Sequence, residues 1–520
     1  MRSSDEIYQL ISSMSDNEKR FFRKKYTLFV SDDDSNYINY FDGIAKQVSE
    51  GKGYDEKKIK SGSYSGKFLK NLSFHKNYLY SIILNILSLY HKDSRDKYIV
   101  RELITQAEIL SEKMLFAQSM KLLLRAKKIA SEKELPTSLY EILYNETTIF
   151  KYTVSVEEYS SKYEDILKEQ HEIMDTQKNL LDYFLLNEKT GIFLRTFGSG
   201  KVRGKEDLLE FEKMFDNPLL YDIENARSFL SRYIFYNLNL QLHLTKQNYE
   251  KAYECALNAV RLWEDNPEKI AGKPDNYIFS LYNLMNTQVR THRISEFVIT
   301  EAKLRNLPEK FPGQITEANK VFIFYSISVM NLSAYLESID PDKLISTETE
   351  ISKELNIYEE KITVYQRIIL FYFLSTSNFI LENFEKCIYW NGKIFSLGKT
   401  DLSGDYQCYA RIIQLIAYYE LGYIDSLEYV LKSAYHFISK RKRVYKYENI
   451  IQKYLRRSFR IRNNNELEDM FGEMLHELKG IINDDFEKNA FDAFNIIPWL
   501  ESKLKKIPMV RVLKEKNKII

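Results

Sequence analysis

Ten lysines and arginines crowd into the stretch from Lys440 to Arg462, against a single acid, Glu448. That stretch carries +9 while the whole 520-residue chain carries +2, so everything else sums to −7. At 100° per residue, Lys442, Lys446, Lys453, Arg457 and Arg460 fall within about 60° of one another on a helical wheel. Val444, Tyr447, Ile450, Ile451, Tyr454 and Leu455 take the opposing half. The pattern predicts an amphipathic helix docked by its apolar face, with a basic stripe outward that also includes Arg456. Such a stripe is chemistry for an anion: nucleic-acid phosphate, an acidic protein segment or an anionic membrane surface. The following segment carries Glu466, Glu468, Asp469, Glu473 and Glu477, near enough to neutralise the stripe inside one hairpin. Internal pairing or a plain solvated face is therefore the preferred reading of these six basic residues.

Other chemistries find less. Gly198-Ser199-Gly200-Lys201 has Arg195 in place of the first glycine of a phosphate-binding loop, and Val202 where a Mg²⁺-binding hydroxyl belongs. Gly62 to Lys67 is one residue short of that loop and is followed by Phe68. The seven histidines (75, 91, 171, 243, 292, 436 and 476) are scattered singly, and His476-Glu477 lacks the second histidine that would bring two imidazoles onto one helical face. Cys255, Cys387 and Cys408 lie far apart within apolar helical patterns, with neither metal-ligand nor disulfide spacing, which suits a reducing compartment. No Gly-x-Ser-x-Gly elbow occurs. The expectation is no catalytic residues, no metal site and no cofactor.

The elements that would position a binding surface are helices. Nine prolines and 17 glycines are few for this length, and these residues punctuate turns. Apolar residues make up 44% and charged residues 28%, enough for a buried core under a soluble surface. Tyr (39) and Phe (31) are abundant, and filling the core between stacked helices is their preferred role. The longest uncharged run, Val321 to Leu336, falls short of the roughly 20 residues that a membrane span needs. It reads as a buried helix, and the N-terminus lacks the apolar core of a signal peptide. A cytoplasmic protein without a membrane partner is expected.

Ser15-Asp16-Asn17-Glu18 has the form of a capping box, opening a helix with Phe21, Phe22, Tyr26 and Phe29 at helical spacing. Loops are expected at Ser31 to Ser35 and at Ser61 to Gly66, before an apolar helix from about Phe68 to Tyr90. Helix pairs follow, the first over roughly Tyr98 to Lys113 and Ala117 to Ser131, with Leu123, Ala126 and Ala130 on one face. Leu135 to Asp222 reads as a less regular region. Beyond it, turns fall near Asn248, Arg293, Asn383 and Tyr423, with a weaker signal near Ser338. Their steps are about 40–45 residues, close to the lengths of known helical repeats. Asn248-Tyr249-Glu250-Lys251-Ala252 and Asn383-Phe384-Glu385-Lys386-Cys387 say nearly the same thing at two well-separated places. Recurrence of this kind marks an α-solenoid. The expected organisation is a helical head (1–92), a solenoid (93–440) and a C-terminal helical cap with the basic stripe (441–520).

The turn at Asn248, followed by Ala252, Ala256 and Ala259 and preceded by Tyr236, resembles the tetratricopeptide repeat, although Leu240 and Gln247 stand where that repeat often has glycine. Three further segments, Ser15 to Lys25 (SDNEKRFFRKK), His75 to Tyr80 (HKNYLY) and Phe494 to Lys503 (FNIIPWLESK), resemble a family of bacterial helical-repeat proteins along the whole chain. Both resemblances imply fold alone. The expected function is non-catalytic binding of a protein or peptide in the cytoplasm. The alternative is a nucleic-acid-associated regulator using the basic helix 440–462, and a third reading is scaffolding through self-association. The partner and the oligomeric state stay open.

Overall fold

The computed structural model describes all residues except 1–2, 27–34, 52, 63, 65, 93–95, 197–201, 203, 399–403, 440–444, 459–463, 485 and 518–520. The described residues are all-α, with helices packing mainly on their neighbours in sequence. They divide into two compact units, Met1–Asp175 and Thr176–Ile520.

In the first unit the apolar side chains separate into two clusters. One spans Ile7 to Ile86 and gathers the helices Ser3–Ser13, Asp16–Lys25, Asn36–Ser49 and Leu72–His91. The capping box is present: Ser15 accepts from the Glu18 N–H at 3.3 Å, and Glu18 accepts from the Ser15 N–H at 2.7 Å. Its helix ends at Lys25, and Phe29 lies outside the described residues. Phe22 from this helix stacks on Phe41 with ring centroids 4.2 Å apart. The other cluster joins Asp96–Glu112, Phe116–Glu132 and Pro136–Thr153, where Leu123, Ala126 and Ala130 are fully buried.

The segment from Leu135 to Asp222 is more regular than its sequence suggests, because it contains one 40-residue helix, Val156–Arg195. Its later half, in the second unit, has apolar residues on two opposite faces, which erases the single-stripe periodicity of an ordinary surface helix.

The second unit is a stack of helix pairs: Phe229–Thr245 with Tyr249–Glu264, Pro274–Arg290 with Ile294–Arg305, Glu317–Glu337 with Pro341–Tyr358, Val364–Ile380 with Phe384–Ser396, and Gly404–Glu420 with Ile424–Ser439. Each pair is joined by the same turn. A single left-handed residue (Gln247, His292, Ile339, Glu382 or Gly422) follows the first helix, with φ between 49° and 71°. The N–H after it reaches back to the carbonyl five positions earlier, as in Asn248 to His243, Arg293 to Gln288 and Asn383 to Asn378, each at 2.8 Å. This 6→1 bond satisfies an orphan carbonyl at the helix end and reverses the chain sharply. Successive turns are about 40–47 residues apart, the length of one helical-repeat unit. The turn at Ile339 answers the weaker sequence signal near Ser338.

From the second pair on, the first helices pack on one another, and the second helices pack mainly on first helices. Glu317–Glu337, between two other first helices and its own partner, is buried nearly all round. In the pair at Asn248, Ala252, Ala256 and Ala259 are essentially inaccessible, as close helix approach requires. The C-terminal helices Lys446–Ser458, Asn464–Ile481, Ile497–Lys505 and Met509–Asn517 share one continuous apolar core with the stack.

Candidate functional site

The helix Lys446–Ser458 buries Tyr447, Ile451 and Tyr454 and exposes Lys446, Lys453, Arg456 and Arg457. Each exposed cation has a neighbour. Lys446 Nζ lies 3.1 Å from Asp484, Lys453 Nζ lies 2.5 Å from Glu477, and the Arg457 guanidinium forks onto Glu473. Arg456 lies over the Tyr435 ring, 3.8 Å from its centroid. Hydrogen bonding to Arg457 holds the Glu473 carboxyl below its ordinary value, and Lys453 does the same for Glu477. Lys442 and Arg460, like Gly198 to Lys201, lie outside the described residues. Exposed pairs of this kind stabilise little, but they neutralise three of the four described cations of the stripe. Glu448 is not on the surface at all. It is fully buried, accepts from the Tyr445 N–H at 3.1 Å and from the Cys408 thiol at 3.6 Å, and so caps the helix from below.

A second surface is built by the layer of first helices. Tyr282, Tyr325, Tyr365 and Tyr406 stand on four successive first helices, at nearly equal intervals along the chain. Phe322 bridges the first two, with ring centroids 6.1 Å from Tyr282 and 6.2 Å from Tyr325, and Phe279 stacks 6.5 Å from Phe322. At the far end Tyr406 meets Tyr372 edge-on at 5.2 Å. Tyr325 is nearly inaccessible, and the other three of the four are half-buried. Burial pushes the Tyr282 phenol up to about 12, with nearby Tyr365 adding to the rise and Arg290 opposing it. Burial also raises Tyr325, Tyr365 and Tyr406, and Arg195 opposes the rise at Tyr365. All four phenols are therefore neutral O–H donors at physiological pH, and among the described residues none has a hydrogen-bond partner.

The use of such donors is visible beside them. Tyr372 donates to the Ala493 carbonyl at 2.5 Å, and Tyr447 donates to the Phe494 carbonyl while accepting from the Ile496 N–H at 3.2 Å. Phe494, in extended conformation, packs its ring 5.3 Å from Phe379. Asp492 reaches the Tyr249 hydroxyl at 3.3 Å and the Arg290 guanidinium at 3.7 Å. The chain thus holds its own short segment around Phe494 against Tyr372 of a first helix and Tyr447 of the basic helix through phenol-to-carbonyl bonds and an aromatic contact, with one ion pair at Asp492. A cavity of about 380 Å³ lies alongside, lined among others by Arg290, Tyr372, Asp405, Tyr406, Asp492 and Phe494.

The basic helix was legible in the sequence and the tyrosine layer was not, since tyrosine abundance reads there as core filling. A usable signal existed: the interval between these tyrosines matches the interval between the turns. Burial also raises the thiol of half-buried Cys255, to about 11, and that of buried Cys387 further, which makes both poor nucleophiles. Among the described residues no group of three or more His, Cys, Asp or Glu is placed to hold a metal ion, and no helix is long and apolar enough to cross a membrane. Comparison with protein-family models, curated proteins and solved structures finds no match to this chain.

Proposed function

We propose that residues 176–520 form a non-catalytic, tetratricopeptide-like module of the cytoplasm that binds an extended peptide or protein segment along its first-helix layer. The observation that carries this is the group of four neutral phenols with no hydrogen-bond partner among the described residues, next to Tyr372 and Tyr447, which spend the same group on backbone carbonyls. An extended guest chain offers backbone carbonyls that such hydroxyls can bond. The rings supply apolar contact, and the hydroxyls supply direction.

Selection from a random peptide library on the full chain, followed by fluorescence polarisation, tests the reading. Tyr365→Phe and Tyr406→Phe, at half-buried positions, keep the rings and remove the hydroxyls. Each is expected to weaken a selected peptide about 3- to 10-fold. Equal affinity for the double variant, or a library that returns no binder, would overturn the reading. The alternative, a nucleic-acid-associated regulator using 440–462, draws on that segment's +9, but the ion pairs of Lys446, Lys453 and Arg457 leave it less free charge. Its mark would be affinity falling steeply with salt.

A further inference from the structure

The later half of the helix Val156–Arg195 has two apolar faces. Tyr183, Leu186, Thr190 and Leu194 point into the core of the second unit, each less than a tenth exposed. On the other side Leu181, Leu185 and Ile192 are 55%, 50% and 60% exposed, flanked by Phe184 at 44%. A folded protein gains nothing from keeping three branched aliphatic side chains and a phenylalanine in water along one helix face. With Lys178 and Glu188, both exposed, the outward positions run 178, 181, 185, 188, 192, alternating steps of three and four. That is the a/d seam of a two-stranded coiled coil, with a at 178, 185 and 192 and d at 181 and 188.

The seam is complementary to itself in one orientation. In an antiparallel pair each a position faces a d position of the other strand. A two-fold axis between residues 181 and 185 then sets Leu181 of one copy against Leu185 of the other, and Lys178 of one copy against Glu188 of the other. Both pairings occur twice by symmetry. Neither Lys178 nor Glu188 has an ion-pair partner among the described residues. Phe184, beside the axis, meets the Phe184 of the second copy. A parallel pair would instead oppose lysine to lysine and glutamate to glutamate, so the charges select the antiparallel arrangement.

We propose that this face is a homodimer interface, in which the helices of two copies of the chain pair antiparallel through residues 178–192. None of the seam residues belongs to the tyrosine layer, and the proposal does not rest on that reading. The seam spans about 21 Å at 1.5 Å per residue. So short a contact lies at the weak end of specific interfaces, with a dissociation constant on the order of 10–100 µM.

Sedimentation velocity of the full chain over about 1–200 µM tests it at that range. The wild type is expected to shift from monomer to dimer. Leu181→Glu should leave a monomer throughout, with circular dichroism confirming unchanged helix content at this exposed position. Lys178→Glu or Glu188→Lys alone opposes like charges twice per dimer and should weaken association about 10-fold or more. The double exchange K178E/E188K restores opposite charges and should recover affinity to within about 3-fold of wild type. A wild type that stays monomeric, an unaffected Leu181→Glu, or single variants that weaken while the double exchange does not recover would each overturn the proposal.

Discussion

His292 and Ile339 occupy the same place in consecutive turns, with φ of 55° and 49°, and replacing each with glycine should change stability in opposite directions. A left-handed backbone costs an ordinary L-residue about 1–2 kcal/mol, and glycine removes that cost. Glycine also loses more freedom on folding, which returns about 0.5–1 kcal/mol to the unfolded chain. What remains differs with burial. The His292 side chain is 70% exposed, and its nearest acid, Glu337, is 3.8 Å away, a surface contact of little value. His292→Gly should therefore stabilise the second unit by about 0.5–1 kcal/mol. Ile339 is 5% exposed, and removing a buried isoleucine side chain forfeits about 2–3 kcal/mol of apolar burial, which exceeds the relief of strain. Ile339→Gly should destabilise by about 1–2 kcal/mol. All three tryptophans, Trp263, Trp390 and Trp499, lie in this unit, so indole fluorescence in a urea titration reports on it alone. The midpoint should rise for His292→Gly and fall for Ile339→Gly with the slope unchanged. Two shifts of the same sign would refute the argument that a shared turn geometry and unequal burial set these energies.

Two further outcomes follow from single sites. Ala256 is fully buried where the helix Tyr249–Glu264 approaches its neighbours, so Ala256→Leu should overpack the pair by about 1–3 kcal/mol. Glu254→Leu, on the exposed side of the same helix, serves as the control and should leave the urea midpoint close to wild type. In the first unit, burial works to raise the Glu56 carboxyl, but Lys60 and Lys76 override it and hold it at about 2. A folded-state value below the unfolded one means that protonation favours unfolding. The stabilisation is complete above about 4.5 and is lost as pH falls towards 2. Corrected for the intrinsic pH dependence of amide exchange, protection in the helix Leu72–His91, which carries Lys76, should fall over that window in the wild type. It should do so less steeply in Glu56→Gln; an identical pH profile in the two proteins would refute the assignment.

The turns at Asn248, Arg293, Asn383 and Tyr423 were legible because a short reversal between two helices leaves a local mark: a polar residue after the left-handed position, then a fresh apolar periodicity. The capping box at Ser15 and the small-residue line Ala252, Ala256 and Ala259 were legible for the same reason, since hydrogen bonds and contacts within a few residues decide them. The helix Val156–Arg195 was not. Its apolar residues serve two faces, and periodicity records only one stripe at a time. The basic helix shows the same limit in another form. Its charge and its apolar face were evident from spacing, yet Glu473, Glu477 and Asp484 take up Arg457, Lys453 and Lys446 only because the next hairpin folds back onto it.

The candidate site divides along the same line. Composition and turn chemistry alone determined that the chain is helical, that the helices pair, and roughly where each pair reverses, because backbone hydrogen bonds and short-range packing set those features. That Tyr282, Tyr325, Tyr365 and Tyr406 come together was decided by the stacking of helices a full repeat apart in sequence. Their hydroxyls have no hydrogen-bond partner among the described residues, while Tyr372 and, on the basic helix, Tyr447 find carbonyls of the C-terminal segment, because Ala493 to Ile496 pack beside those two side chains. A side chain's own periodicity states which way it faces its helix; only the tertiary structure states what, if anything, it meets there.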